Sequence, residues 1–390
     1  MLVLDLILVA LLLVGLVAGL GRGLSGSVGL LAGLVVGGAA AFWLVPLIND
    51  ALPSQQWRPA VVLAASAALI IGGAALGAAA GAVLRRGVDR VRPLRAIDRL
   101  LGGVAGVVVT ALALSLAGAS LAATGMPVVS TALSSSTVLR TIERITPAPV
   151  AVALAELRGF VFDEGLPALG NLLEASPVDI PPVDLADPEL AQAAASVARV
   201  SGTAFSCGRS STGSGFVVAA DRVVTNAHVV AGVEQPVVEL PGVPAREGRV
   251  VYFDPIDDLA VIAVDGLGVA PLPFATTLEP GSPAVVQGYP LGGPFTMGEA
   301  GVLSTGTVAV PDIYDENAAP REIYALQATV RPGNSGGPVL TEDGAVAGVV
   351  FARADNDPDR GYAMTMAELT PVAAQAASLS QAVSPGRCVG

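Results

Sequence analysis

Three short segments of the chain hold side chains that could carry out chemistry, and the first contains a histidine. His228, in the segment 224–230 (VTNAHVV), is the single histidine of the sequence. If a reaction here needs an imidazole as general base, no other residue can supply it. A lone histidine is also common as a hydrogen-bonded core residue. His228 therefore indicates catalysis only together with partners of suitable type.

The second segment, 254–264 (DPIDDLAVIAV), sets three aspartates beside an apolar run typical of a strand. A carboxylate at this point could accept a hydrogen bond from Nδ1–H of His228, hold its tautomer and stabilise the imidazolium. An aspartate at the edge of a strand is also an ordinary turn residue. Spacing alone leaves the choice among Asp254, Asp257 and Asp258 open.

The third segment, 331–340 (RPGNSGGPVL), sets a serine among glycines. Such a loop can turn tightly enough for the N–H groups of Gly333 and Ser335 to bind the oxyanion of a tetrahedral intermediate. A glycine-rich hairpin turn is the alternative interpretation. The letters 333–337 also fit the G-x-S-x-G elbow of α/β-hydrolases. Those enzymes need a histidine after the serine, and none follows Ser335.

The composition of the chain excludes several other kinds of reaction and partner. All 21 basic residues are arginine, which excludes mechanisms that need lysine, such as serine–lysine dyads, Schiff bases and P-loop phosphate binding. Residues 124–390 carry 13 arginines against 29 acidic residues, and this acidic balance argues against a nucleic-acid partner. The whole chain of 390 residues is 53% hydrophobic and only 14% charged, so we expect part of it to lie in a membrane.

The membrane part is expected in the first third of the chain. Four uncharged apolar stretches, each close to or above the ~20 residues that cross a bilayer, occur at about 6–21, 24–48, 59–84 and 100–124. The sequence therefore predicts an all-α transmembrane bundle of four spans over residues 1–125. Glycines recur at four-residue spacing within these stretches, which favours closely packed helices over a transport path.

Arginine distribution predicts the orientation of this bundle. Six arginines lie between the third and fourth stretches, which places that loop in the cytoplasm. Both termini then lie outside, together with the C-terminal half of the chain.

The remaining chain divides into a linker and a strand-rich domain. Residues 126–190 hold two segments with helical spacing of apolar residues, 139–145 and 150–162, followed by a spacer rich in proline and aspartate at 176–188. Residues 191–390 alternate short runs of Val, Ile, Leu and Thr with turn residues. This pattern is typical of an all-β barrel or sandwich, and the length suffices for two small barrels.

The order His228, Asp258, Ser335 is that of chymotrypsin. The segments TNAHVV, DDLAVI and GNSGGPV resemble the His, Asp and Ser boxes of trypsin-like serine proteases, nearest the bacterial HtrA/DegP branch. The resemblance implies a double β-barrel over 191–390. It also selects Asp258, since the family has its catalytic aspartate directly before Leu-Ala. Thr329, six residues before the serine, is implied to line the substrate pocket.

The region up to about residue 150 resembles the colicin V production (CvpA) family. Its fusion to a protease resembles the actinobacterial membrane-anchored serine proteases of the acid-resistance (MarP) type. The resemblance implies a multi-pass protein of the bacterial inner membrane with a periplasmic endopeptidase domain. That domain would cleave envelope proteins or peptides in resistance to acid or oxidative stress, with no metal or other cofactor. The alternative is a scaffold, export or sensing module in which the protease domain is regulatory or silent.

Two cysteines, Cys207 and Cys388, complete the residues of interest. With their domain outside the cell membrane, a disulfide between them is permitted. The resemblance implies that such a bond modulates activity. Self-cleavage within the linker 126–190 is left open by the sequence.

Overall fold

The computed structural model describes residues 2–51, 58–88, 92–123, 127–159, 166–170, 172–173, 178–207 and 209–389. They form two compact units, 2–115 and 116–390. The expected domain limits 1–125, 126–190 and 191–390 stay predictions.

The first unit consists of long apolar helices, namely α1 (Leu2–Ala51), α2 (Arg58–Val88) and most of α3 (Arg92–Ala123), whose last residues belong to the second unit. Helix α1 is interrupted at Gly23, whose φ of 71° and ψ of 171° are not helical, and this break separates the first two apolar stretches of the sequence. Among the described residues, Val3–Ala40 and Pro93–Leu121 are long and apolar enough to cross a membrane, and α2 contributes a shorter apolar segment, Ile71–Arg85. The helical region with two candidate spans is therefore present, and the count of four stays a prediction.

Glycines bring the backbones of these helices into direct contact. A methyl group on Gly33 of α1 would lie 2.8 Å from Gly77 Cα of α2, and one on Gly15 would lie 2.9 Å from Gly106 O of α3. Real side chains do not tolerate such distances, so only glycine fits at these crossings. The glycine seam comprises Gly15, Gly19, Gly29 and Gly33 on α1, Gly73 and Gly77 on α2, and Gly102 and Gly106 on α3.

Two adjacent glycines of α2 provide a test of this packing. A methyl group on Gly73 would lie 2.7 Å from Gly37 Cα, whereas one on Gly72 would meet nothing within 4 Å. We expect Gly73→Ala to lower the free energy of unfolding by about 1–3 kcal/mol through overpacking. Gly72→Ala should leave stability unchanged or raise it by up to about 1 kcal/mol, because alanine favours the helix. Thermal unfolding of the full chain in detergent measures both, and equal effects would contradict the seam.

A buried carboxylate stabilises the break in α1. Asp98 of α3 is only 8% exposed, and its Oδ1 accepts hydrogen bonds from the backbone N (3.0 Å) and the hydroxyl (2.5 Å) of Ser25. Its other oxygen packs against Gly23. Ser25 stands just after the break, where backbone N–H groups have no helical partner. Asp98 thus caps the second half of α1 from a neighbouring helix.

Within its described residues, the second unit contains six more α-helices, a short 3-10 helix (Pro290–Gly292) and fourteen strands. Its helices are α4 (Pro127–Ser134), α5 (Thr137–Ile145), α6 (Ala148–Gly159), α7 (Pro188–Ala194), α8 (Ala227–Val230) and α9 (Met366–Ala376). Its strands are β1 (Ala168–Leu169), β2 (Val197–Ala204), β3 (Arg209–Ala219), β4 (Arg222–Thr225), β5 (Val237–Glu239), β6 (Arg246–Glu247), β7 (Arg249–Asp254), β8 (Leu259–Ala263), β9 (Pro283–Gly288), β10 (Thr296–Pro311), β11 (Ala318–Gln327), β12 (Pro338–Leu340), β13 (Val346–Ala354) and β14 (Arg360–Thr365).

The strands form two seven-stranded sheets. The first has the order β6-β5-β2-β3-β4-β8-β7 and the second β1-β13-β12-β9-β10-β11-β14, where an additional pairing of β13 with β14 closes six strands into a ring. One apolar core joins them, because Phe216 and Leu259 of the first sheet belong to the same buried cluster as Leu340 and Phe351 of the second. The loops at this junction carry the residues singled out by the sequence.

Part of the expected linker belongs to the second sheet. Strand β1 pairs in parallel with β13, and Tyr362 Oη donates to Gly170 O at 3.0 Å. The side chain of Ile180 packs directly over Gly301 of β10. The described part of the proline-rich stretch, from residue 178 onwards, therefore packs on the sheet at Ile180 rather than lying away from it.

Candidate active site

His228 lies in the short helix α8, directly after β4, and is 8% exposed. Its Nδ1 is 2.8 Å from Asp258 Oδ2, and its backbone N–H donates to Asp258 Oδ1 at 2.9 Å. One carboxylate therefore engages both the ring and the main chain of the histidine. This fixes the ring orientation and leaves Nε2 as the free nitrogen.

The sequence left the choice among Asp254, Asp257 and Asp258 open, and the structure shows that Asp258 and Asp254 have different partners. Asp258 adopts φ 55°, a left-handed conformation that is strained for a residue other than glycine, and Asn226 Nδ2 donates to its carbonyl at 2.9 Å. Asp254 instead accepts from the backbone N–H of Ile256 and Asp257, at 2.9 and 3.1 Å. Asp254 therefore shapes the turn, and Asp258 is the one that meets His228.

Ser335 lies in the loop between β11 and β12 and is 2% exposed. The loop folds back on the second sheet, since Gly336 N donates to Val350 O at 2.8 Å. A methyl group on Gly336 would lie 3.0 Å from Asn226 N, so this loop touches the segment that carries His228. Within the described part of the chain, Ser335 Oγ has no hydrogen-bond partner. Bonds of this kind often tighten only when substrate binds.

The peptide planes around Gly333 are held from two sides. Gly333 has φ 91°, and Pro332 O on one side of it accepts from Leu291 N at 2.6 Å. On the other side, Gly333 O accepts from the hydroxyl of Ser214 at 2.6 Å. The same hydroxyl accepts from Tyr289 N at 2.9 Å. These bonds fix the direction of the Gly333 N–H, as an oxyanion site requires.

Ser214 is a residue that the sequence pattern did not single out for this role. It is fully buried in β3, and its backbone N–H also donates to Ser335 O at 2.7 Å. It thus links the first sheet to both ends of the Gly333–Ser335 segment. The motif GSGF at 213–216 was the available signal, but the motif does not show which atoms its serine reaches.

Thr329 lies at a cavity of about 340 Å³, whose walls include Glu299 of β10 and Pro181 of the 178–187 stretch. The hydroxyl of Thr329 donates to Asp359 Oδ1 at 3.0 Å. No sequence pattern pointed to Asp359, because 30 positions separate it from Thr329. Two carboxylates therefore border the cavity at the residue expected to line the substrate pocket.

Comparison with known proteins covers both units. Residues 4–147 match the sequence family of the colicin V production protein, and residues 213–349 match the family of the trypsin-like peptidase domain. Serine protease Rv3671c of Mycobacterium tuberculosis H37Rv is 35% identical over 314 residues, which cover 78% of each chain. The chain belongs to this MarP-type family of serine proteases.

Other matches cover a smaller part of the chain. The putative serine protease HhoB of Synechocystis is 39% identical over 154 residues, covering 37% of this chain and 35% of that protein. A crystal structure of the Rv3671c protease from M. tuberculosis, described as its active form, superposes with a TM-score of 0.52 at 35% identity. It covers 57% of this chain and all of the other.

Membership of the MarP-type family confirms two expectations from the sequence. The chain is a membrane-anchored serine protease, with a helical N-terminal region and a β-rich, trypsin-like C-terminal domain. The catalytic roles of His228, Asp258 and Ser335 and the oxyanion role of Gly333 stay predictions. Closure of the first sheet into a barrel is also still a prediction.

The two cysteines of this MarP-type chain form a disulfide that fastens the C-terminal tail to the first sheet. Cys207 follows β2, and its Cα lies 6.6 Å from that of Cys388. Nearby, Gly232 N donates to Pro385 O at 3.0 Å, and Tyr314 Oη donates to Arg387 O at 3.1 Å. The tail therefore contacts the region around His228 through Gly232, four residues further along the chain.

Ser214→Ala tests how the loop predicted to form the oxyanion site of the MarP-type protease is held. Loss of the hydroxyl frees Gly333 O and Tyr289 N, and we expect kcat to fall by about tenfold to 100-fold with little change in KM. The rate at which a fluorophosphonate acylates the full chain should fall in parallel. Ser211→Ala, on the same strand, is the control. An unchanged acylation rate for Ser214→Ala would show that the loop holds itself.

Proposed function

We propose that the chain is an extracytoplasmic serine endopeptidase in which His228, Asp258 and Ser335 form the catalytic triad. The observation that carries this proposal is the double contact of Asp258 with His228, beside a loop whose serine hydroxyl has no hydrogen-bond partner among the described residues. A carboxylate that accepted a hydrogen bond only from the main chain of His228 would do no more than orient helix α8. A carboxylate that also bonds Nδ1 prepares the opposite nitrogen to take a proton.

In this mechanism, Nε2 of His228 removes the proton of Ser335, whose Oγ attacks the peptide carbonyl. The N–H groups of Gly333 and Ser335 stabilise the oxyanion. His228 then gives its proton to the leaving amine, and the acyl-enzyme forms. A water molecule hydrolyses the ester with His228 again as base. Every group in the cycle is an ordinary protein side chain or backbone amide.

The finer details of location and substrate belong to the same proposal. The helices of residues 1–125 cross the bacterial inner membrane four times, and the arginine-rich loop after the third span faces the cytoplasm. The protease domain then lies on the periplasmic side, where its substrates are envelope proteins or peptides. The linker 126–190 is one candidate substrate, cleaved by the chain itself.

A role in resistance to acid or oxidative stress follows from membership of the MarP type. Acid poses a physical difficulty, because a protonated imidazole cannot act as the general base and the chain has a single histidine. We therefore propose that the enzyme acts where the local pH is only mildly lowered. Oxidation acts differently, through the bond between Cys207 and Cys388, which fastens the tail next to the site.

The test uses the purified full chain in detergent, oxidised or reduced, treated with a fluorophosphonate probe. Mass spectrometry should locate the label on Ser335, and His228→Ala should remove it. A lower labelling rate after reduction would support control by the disulfide. Absence of label in both states would contradict the protease mechanism and favour a silent scaffold, which is the alternative raised by the sequence.

A further inference from the structure

One edge of β13 passes directly beside the loop that carries Ser335. The pairing of β13 with β12 ends at Val349. At the next residue the loop takes over, since Gly336 N donates to Val350 O at 2.8 Å and Val350 N donates to Gly337 O at 2.9 Å. The last residues of β13 therefore continue the sheet edge just beyond the candidate nucleophile.

The linker of this chain pairs with that continuation. Strand β1 runs parallel to the end of β13, with Ala168 opposite Arg353. Arg353 N donates to Pro167 O at 3.1 Å. One turn of the pleat further, Asp355 N donates to Leu169 O at 3.0 Å. Two main-chain N–H groups at the end of β13 are thus bound to carbonyls of the linker.

Strand β1 lies on the same edge of β13 as the loop of the candidate nucleophile. At Gly348 and Val349, β13 pairs with β12 and with β14, and at Arg353 it pairs with β1 and with β14. Because a strand has two edges and β14 takes one of them throughout, β12 and β1 share the other. The residues 166–170, called the β1 segment below, therefore follow the Ser335 loop along one edge.

The β1 segment also covers apolar surface next to the expected substrate pocket. Leu166 is half-buried and packs against an apolar cluster that includes Ala328, Val330 and Val350. Ala328 and Val330 stand on either side of Thr329, the residue expected to line the pocket. Further along, the same linker forms part of the wall of the cavity at Thr329.

Tyr362 of β14 fastens the end of the β1 segment. Its side chain is fully buried, and its Oη donates to Gly170 O at 3.0 Å and accepts from Leu172 N at 3.3 Å. The hydroxyl is the polar end of an otherwise apolar side chain, so its two bonds can be removed without a change in the packing of the ring. The β1 segment is therefore held by the edge of β13, by the apolar cluster and by this hydroxyl.

An extended peptide that reaches Ser335 needs the features that the β1 segment uses. Peptides often bind by adding a strand to a sheet edge, where main-chain hydrogen bonds give affinity and side-chain pockets give specificity. In this protein the edge beside the Ser335 loop is the end of β13, and the expected pocket lies next to it at Thr329. The β1 segment and a substrate peptide cannot occupy that edge together.

We propose that the β1 segment is an internal competitive inhibitor, which covers the substrate edge of β13 until it detaches. This inference rests on the proposed function, and it gives the linker a task besides joining the two units. Substrate binds only the fraction of molecules whose edge is open, so its apparent affinity is reduced by that fraction. The expected signature is a raised KM, with kcat unaffected once substrate is bound.

Two variants of the full chain loosen the β1 segment without changing the triad. Tyr362→Phe removes the hydrogen bonds to Gly170 and Leu172 and keeps the buried ring. Leu166→Asp places a charge where the linker packs on the apolar cluster, which favours the detached segment. The experiment measures initial rates of casein hydrolysis over a range of casein concentrations, together with the rate of fluorophosphonate labelling of Ser335, at pH 8 in detergent.

Tyr324→Phe is the matched control for Tyr362→Phe. Tyr324 of β11 is also fully buried. Its Oη likewise donates to a backbone carbonyl, that of Ala347 at 3.0 Å, and accepts from a backbone N–H, that of Leu278 at 2.8 Å. The control therefore loses the same kinds of bond within the same sheet, but both partners lie outside the linker.

We expect kcat/KM for casein to rise about threefold to tenfold in Tyr362→Phe and about tenfold in Leu166→Asp, through a lower KM at unchanged kcat. The control should stay at or below the parent value. A fluorophosphonate reacts with the serine hydroxyl without binding along a sheet edge, so labelling rates should agree within about twofold. A merely structural role of these contacts would lower both rates and raise neither.

Casein hydrolysis no faster than the parent's in Tyr362→Phe and Leu166→Asp, with normal labelling, would overturn the inference. An equal rise in Tyr324→Phe would also overturn it, because the gain would then not depend on the linker. If Tyr362→Phe loses the circular dichroism of the parent, Leu166→Asp decides the question by the same criterion. A parent chain that is not labelled at Ser335 would instead reject the proposed triad, which is a separate result.

Discussion

Ser335→Ala should reduce peptide hydrolysis by about 10⁴- to 10⁶-fold and eliminate fluorophosphonate labelling, while the chain remains folded. The large effect is expected because the nucleophile is lost altogether, and only the oxyanion site and substrate binding remain to accelerate the reaction. The measurement compares casein hydrolysis and probe labelling by the full chain with those of the parent at pH 8.

Ser201→Ala is a closely matched control for this variant. Ser201 of β2 is 2% exposed, as Ser335 is, and within the described residues its Oγ likewise has no hydrogen-bond partner. The control should retain the parent's rate within a factor of about two, because surroundings that do not bind a hydroxyl tolerate its loss. Residual hydrolysis above one hundredth of the parent rate in Ser335→Ala would show that another residue is the nucleophile.

Asp258→Asn should reduce kcat by about 10⁴-fold at neutral pH. The carboxylate of Asp258 accepts at both oxygens, from the His228 main chain at 2.9 Å and from Nδ1 at 2.8 Å. An amide has a single acceptor oxygen, so one of these contacts must face its NH₂ group. If that contact is Nδ1, the ring turns to the wrong tautomer and cannot act as base.

The adjacent residue supplies the control for Asp258→Asn. Asp257→Asn changes the same chemical group one position earlier, yet no hydrogen bond links Asp257 to His228 in the described part of the chain. At pH 8 we expect a rate within about threefold of the parent, since burial raises the pKa of Asp257 without involving it in proton transfer. If both variants lose activity equally, the turn as a whole rather than the Asp258 carboxylate is required.

The residues of the candidate site could be selected from sequence because two of them are distinctive. The single histidine and the serine among glycines stand out by themselves, whereas the choice of Asp258 came from the resemblance to trypsin-like proteases. The strand after Asp258 was also predictable, because the apolar run within 254–264 corresponds to β8. The local sequence pattern was sufficient where a reactive residue and the strand beside it are neighbours in the chain.

What the sequence missed depends on contacts between distant segments. Ser214 and Gly333 are 119 residues apart, and only the packing of the two sheets brings them together. The burial of Arg321 in β11, with 1% of its surface exposed, was unexpected because arginine is almost never fully buried unless it is paired. Strand β1 is two residues long, too short for any periodicity, and is defined by the edge of β13 that it joins. Tertiary structure, not local propensity, determines these features.

The glycine seam has a consequence for how mutational data on this protein should be interpreted. A scan of all substitutions would reveal two groups of intolerant positions, one around His228 and Ser335 and one at glycines such as Gly33 and Gly77. The second group carries no reactive atom, and its intolerance arises because backbones in contact leave no space for a methyl group. Its severity should vary with bilayer thickness or detergent, whereas that of the first should vary with pH and substrate. Sensitivity to mutation in the membrane unit is therefore a measure of helix packing and not evidence for a second active centre.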